Sequence, residues 1–240
     1  MHMKKGQKGL FLLLLAVLFA FQGMAQRYGK NIPSFEHRKF HFGANLGGTS
    51  TTYSYELNSS FTEFDSVFQV NINSGPGFAI HLPVISWNLH ATFHLRFIPS
   101  LTFHDTEFRY AYWKNGEREI KSTRTQPTLL NFPLIMKWNT KRINNFSAYA
   151  LGGLSYSYDL ASQDDVDQSL SEPIVKLKRH DYAYHVGGGF DFYMQYFKFG
   201  LEIKLSNGMR NLLIQDETFF AAPLKSLKSQ IWWFSITFEG

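Results

Sequence analysis

Cysteine is absent from the 240 residues. Its absence excludes a disulfide scaffold, a thiolate zinc site and a cysteine nucleophile together. It also excludes a lipobox, so a lipoprotein is not expected. Charge is scarce: 18% of residues are Asp, Glu, Lys or Arg, against 44% apolar and 17% aromatic. With 24 Phe, 12 Tyr and 5 Trp, the chain is too rich in aromatic surface for disorder. A long apolar run is missing as well. Leu10–Phe21 is unbroken but has only twelve residues, short of the roughly 20 that a membrane helix needs.

That short run has the flanks of an export signal. Lys4, Lys5 and Lys8 precede it, and Gly23-Met24-Ala25 follows with small residues at the two positions that a signal peptidase reads. Residues 1–25 are therefore expected to be a signal peptide cleaved after Ala25. Its removal takes 24 basic residues to 21 against 19 acidic ones, so the formal charge falls from +5 to +2. The electrostatic footprint of a nucleic-acid binder goes with it, and no nucleic-acid partner is expected.

From Phe40 onward the chain alternates with period two. Phe197, Phe199, Leu201, Ile203 and Leu205 alternate with Lys198, Gly200, Glu202, Lys204 and Ser206, which is a strand pattern and not a helical one. Eight such segments are predicted, at 40–54, 75–84, 88–110, 127–139, 145–158, 180–193, 197–208 and 228–239. Short connections (Pro83–Trp87, Thr140–Asn144, Met194–Tyr196) alternate strictly with long ones (55–74, 111–126, 159–179, 209–227). An up-and-down barrel with turns at one rim and loops at the other gives this order. Residues 26–39 are read as an N-terminal periplasmic segment and 40–240 as one barrel domain.

One face of each strand is apolar. The other carries His41, Asn45, His81, His90, His94, Arg96, Asn131, Lys137, His185, Asp191, Lys198, Glu202 and Lys204. A soluble barrel would turn the charges outward; a membrane barrel turns them in. Aromatic residues near both strand ends favour the second. Trp87, Trp138, Tyr193 and Tyr196 lie near the short turns, and Tyr53, Tyr55, Tyr110, Tyr112, Trp113, Tyr156, Tyr158, Tyr182 and Tyr184 near the long loops. These are expected to form two interfacial girdles. The last strand, Trp232 to Phe238, alternates aromatic residues as outer-membrane barrels do, with Glu239 and Gly240 trailing it. The prediction is an eight-stranded antiparallel up-and-down transmembrane β-barrel of outer-membrane type, all-β, in contact with outer-membrane lipid. Eight strands leave an interior that side chains fill, so an open pore is not expected. Arg96, Lys137, Asp191, Lys198, Glu202 and Lys204 are expected to pair inside it as a structural network.

The remaining motifs point to no chemistry. His90 and His94 would lie about 13 Å apart on a strand, too far to share a metal. Gly152-Gly153 and Gly187-Gly188-Gly189 lack phosphate-loop spacing and read as close-packing points in strands. Asp164, Asp165 and Asp167 read as a solvated loop, with calcium as the sharper alternative. The sequence has no G-x-S-x-G, Walker loop or H-E-x-x-H. No catalytic residue, metal or cofactor is expected.

Several segments resemble the PorT (SprT) family: Arg142–Phe146 leading into Tyr149–Gly153 and Tyr156–Ser162, together with Leu95–Pro99, Asp191–Phe199 and Leu227–Ile231. The resemblance implies a non-enzymatic outer-membrane component of the type IX secretion system of Bacteroidota, which exports proteases and gliding adhesins. It implies other secretion components as partners; because an eight-stranded barrel is too narrow to pass folded cargo, the expected role within that machine is that of an accessory or assembly factor beside a larger translocon. Two other classes stay open: a structural or adhesive small barrel, and a membrane-embedded enzyme acting on lipid.

Overall fold

A computed structural model describes residues 29–58, 67–114, 116–162, 175–215 and 219–240. The expected signal peptide and the Asp164, Asp165 and Asp167 cluster lie outside the described residues. Eleven strands follow a short 3-10 turn at Phe35–His37: β1 (Phe40–Leu57), β2 (Val67–Asn88), β3 (Phe93–Phe97), β4 (Ser100–Phe103), β5 (Thr106–Lys114), β6 (Glu117–Thr125), β7 (Thr128–Asn139), β8 (Phe146–Asp159), β9 (His180–Tyr193), β10 (Lys198–Gly208) and β11 (Leu224–Glu239). All pairings are antiparallel, and β1 pairs with both β2 and β11. The sheet thus closes on itself through eight staves, because β3 and β4 share one place between β2 and β7.

Proline explains the breaks. Pro99 separates β3 from β4 and has no N–H to give a ladder; Ile98 N–H reaches the carbonyl of Pro133 at 3.3 Å and keeps the stave in register. The strand β2 runs through the stretch Pro83–Trp87, which the sequence suggests as a short turn. A register shift opposite Ala44 places Pro83 where no ladder bond is required. The turn falls instead at Leu89–Thr92, and His90 sits exposed in it.

The stretches 55–74 and 111–126, expected as loops, hold most of an extra sheet. Val67–Ser74 of β2 pairs with β5, and β5 pairs with β6 around Gly116 at φ 83°. This three-stranded flap rises above the closed ring at the long-loop end. Its polar alternation (Gln69, Asn71, Asn73 and Glu117 to Thr125) hides it from a search for apolar periodicity.

The outer wall is apolar. On β11, Trp232, Phe234, Ile236 and Phe238 are 42–53% exposed, while Trp233, Ser235, Thr237 and Glu239 between them are buried. The same inversion holds on β10, where Leu201 and Ile203 face out and Glu202 and Lys204 face in. Water would penalise both faces at once: a continuous apolar belt on the outside and buried charge on the inside. Lipid around the wall removes the first penalty. Ion pairing in the lumen offsets the second.

Candidate functional site

The lumen on the short-turn side is a charge network. Lys137 Nζ donates to Asp191 Oδ2 at 2.7 Å and Oδ1 at 2.9 Å, and lies 3.6 Å over the Tyr149 ring. Asn139 Nδ2 donates to Asp191 Oδ2 at 3.0 Å. Arg96 bridges two carboxylates, Glu202 at 2.8 Å and Glu239 at 3.2 Å. Lys198 lies 2.6 Å from Glu239 and 3.7 Å from Asp191. Lys204 is less well held, 3.7 Å from Glu202, with its ammonium 5.0 Å over the Trp233 ring. Tyr149 donates to Glu202 at 3.1 Å. It enters the lumen because Gly189 faces it: a Cβ there would meet the Tyr149 hydroxyl at 2.5 Å and the Leu201 carbonyl at 2.1 Å.

Higher in the lumen, charge gives way to neutral polar groups. Ser155 and His185 share a hydrogen bond of 2.7 Å beside a cavity of about 10 Å³, one water in size. His185 Nδ1 has no hydrogen-bond partner, so no carboxylate orients the ring as a hydrolytic triad requires. Asn131, Ser157, Thr102, His104 and Thr51 continue the chain of hydrogen bonds upward. Among the described residues, no three His, Asp or Glu side chains converge as metal ligands.

Both ends of the lumen are capped. At the short-turn mouth, Phe35 is 2% exposed. Its ring stacks on His41 with centroids 3.7 Å apart, meets Tyr193 edge-on at 5.9 Å, and lies under Lys198. At the long-loop end the inward positions turn apolar: Tyr53, Val70, Phe108, Tyr110, Leu224 and Leu227 pack with Leu177, Leu213 and Phe220 into one core. Tyr110 donates to the Phe220 carbonyl at 2.8 Å. Tyr112 donates to Glu119 at 2.6 Å, which holds its hydroxyl above the usual phenol range.

The family model for the outer membrane protein beta-barrel domain matches residues 24–213. The chain belongs to this family. It is an outer-membrane β-barrel protein. Comparison with curated proteins returns no match. Among solved structures it is similar to neisserial surface protein A, with 12% identity, a TM-score of 0.41, and 82% of this chain and 95% of that chain covered. It is also similar to the outer membrane protein OprG of Pseudomonas aeruginosa (11%, 0.47, 84% and 96%) and to Ail, the attachment invasion locus protein of Yersinia pestis (10%, 0.34, 85% and 100%).

The barrel brings Arg96, Lys137, Asp191, Lys198, Glu202 and Lys204 together in one buried network. Glu239, which trails the last aromatic residue in the sequence, belongs to it. The signal was present: Trp233, Ser235, Thr237 and Glu239 share one parity on β11. The aromatic residues divide. Trp87 stacks on Phe40 and Trp138 on Phe93, all exposed at the short-turn rim, and Tyr196 is 86% exposed in the turn beside them. Tyr156 and Tyr158 lie on the outer wall around His180. Trp113 packs on Phe68 on the outer face of the flap. Four residues assigned to the girdles point inward instead. Tyr53, Tyr110 and Tyr112 build the apolar cap, and Tyr193 lies under Phe35. Nearness to a strand end put them in the girdle; strand parity puts them inside. His90, expected on the polar lumen face, is instead exposed in its turn, while His94 is buried.

Proposed function

We propose that this protein is a non-enzymatic component of the type IX secretion machinery, an accessory or assembly factor beside a larger translocon. Support comes from the resemblance of residues 142–162 and 191–212 to the PorT family. The observation that carries the molecular role is the filled interior. Phe35, the ion-pair network and the apolar cap occupy the lumen in series, and an eight-stave ring has no spare width. Such a barrel acts through its surfaces and not as the conduit. The enclosed Ser155–His185 pair, with no orienting carboxylate, fits a non-enzymatic role. Export by a signal peptide cleaved after Ala25 belongs to the same proposal, as do lipid and other secretion components as partners.

The secreted proteome of a clean deletion strain, with a complemented control, tests it. Cargo of that machinery, which carries a C-terminal signal domain, should vanish from the medium and accumulate unprocessed in the periplasm. Normal export would overturn the secretion reading. The flap favours a second reading, a structural or adhesive barrel, because β5 and β6 project exposed Arg109, Arg118 and Arg124 from the long-loop end. That reading expects altered surface binding with export intact.

A further inference from the structure

At the short-turn mouth the residues before β1 fold back across the lumen. Asn31 N–H donates to Asn145 Oδ1 at 2.8 Å, and its side-chain amide donates to the Tyr193 carbonyl at 2.9 Å. Ile32 is held at φ 45°, a left-handed conformation that a β-branched residue rarely adopts. Anchors on both sides, Asn31 and the buried Phe35, sustain it. This folded segment forms one wall of a cleft of about 260 Å³, with the β7–β8 turn as the other and Asn139 and Tyr193 as the floor.

Three cations, Lys30, Lys141 and Arg142, line the cleft with one carboxylate, Glu36. Among the described residues neither Lys30 nor Lys141 has a pairing partner. Arg142 is built in, its side chain 3% exposed. Nε donates to the Asn144 carbonyl at 2.7 Å, Nη2 donates to Asn145 Oδ1 at 2.7 Å and to the Asn31 carbonyl, and the guanidinium lies 3.8 Å over the Tyr193 ring. Nη1 is left without a hydrogen bond; Glu36, at 3.9 Å, is too distant to accept one. A buried, oriented guanidinium N–H with no acceptor, in a cleft of surplus positive charge, is a receptor for an anion.

We propose that this cleft binds a carboxylate-bearing segment of a periplasmic polypeptide. The Arg142 Nη1 is closed to solvent as the cleft stands; the carboxylate displaces Glu36 from beside it and accepts its N–H, and Lys30 and Lys141 supply the surrounding field. The direction of opening favours a polypeptide over a lipid headgroup. The floor residues Asn139 and Tyr193 face the lumen, whereas their lipid-facing neighbours Trp138 and Phe146 point off the other side of the wall. The cleft therefore opens along the barrel axis, into the compartment that receives the short turns of outer-membrane barrels. The proposal rests on the rim geometry and stands or falls independently of the secretion reading.

Fluorescence anisotropy of a labelled hexa-aspartate peptide against the full mature chain in detergent micelles tests it. Binding should be saturable and weaken as salt rises. It should fall at least about tenfold in Lys30→Gln/Lys141→Gln and in Arg142→Lys, and stay unchanged in Lys225→Gln/Lys228→Gln at the opposite end. Heat-modified gel migration confirms that each variant is folded. Absent binding, or equal binding by the Lys30/Lys141 variant, overturns the proposal. Retention of phosphatidylglycerol that needs Lys30 and Lys141, without peptide binding, also overturns it and identifies the occupant as lipid.

Discussion

The barrel contains two interiors built on opposite principles. At membrane level the inward residues are charged and the outward ones apolar; Glu202 and Lys204 lie inside while Leu201 and Ile203 lie outside. Above that level the inward residues are Phe108, Tyr110, Leu224 and Leu227, and the outer face of the flap carries Arg109 and Arg118. The change of sign follows the change of solvent. Lipid accepts an apolar wall and leaves the polar side chains only the lumen. Water around the cap restores the ordinary arrangement, with the apolar groups buried. One continuous stave, from Phe93 to Lys114, crosses from the first regime to the second without changing parity: His94 and Arg96 point inward below, and Phe108 and Tyr110 point inward above.

The sharpest break in this contrast is expected at Arg96. Arg96→Ala leaves Glu202 and Glu239 buried without their shared cation, a loss of about 5 kcal/mol, read as a lower urea midpoint in refolding into bilayers. Phe108→Ala should cost about 3–5 kcal/mol through the cavity it leaves, but in the cap alone. Limited proteolysis should then cut the flap while the barrel still shows heat-modified gel migration. If the whole barrel collapsed, the two interiors would be one cooperative unit. Ile203→Arg, on the outer wall, should cost about 2–4 kcal/mol in a bilayer; a negligible effect would mean that the wall does not face lipid at that depth. The smallest change is Tyr110→Phe, which removes the hydrogen bond to the Phe220 carbonyl and should cost about 1 kcal/mol in cap stability, measured by amide exchange in β5.

Period-two alternation made most staves legible, because an apolar face repeats against a polar one whichever solvent lies outside. The charged members of the lumen network were legible for the same reason. Glu239 was obscured by its position behind the last aromatic residue. The flap was legible only where β5 continues the 88–110 segment, since β6 lacks an apolar repeat and that of Val67–Ser74 is short. The inward tyrosines were not legible either: Tyr53, Tyr110, Tyr112 and Tyr193 share the girdle residues' composition and location, and differ only in parity.

What the sequence determined by itself is the alternation: which residues share a face, and the order of short and long connections. Both are local properties of an extended backbone whose side chains point to opposite sides in turn. What only the tertiary structure decided is how residues far apart in the chain meet. Closure of the ring brings Arg96 to Glu239 and Phe35 to Tyr193, and the stagger of β7, β8 and β9 brings Lys137 to Asp191. Strand tilt and stagger set those pairings, and no local pattern encodes them.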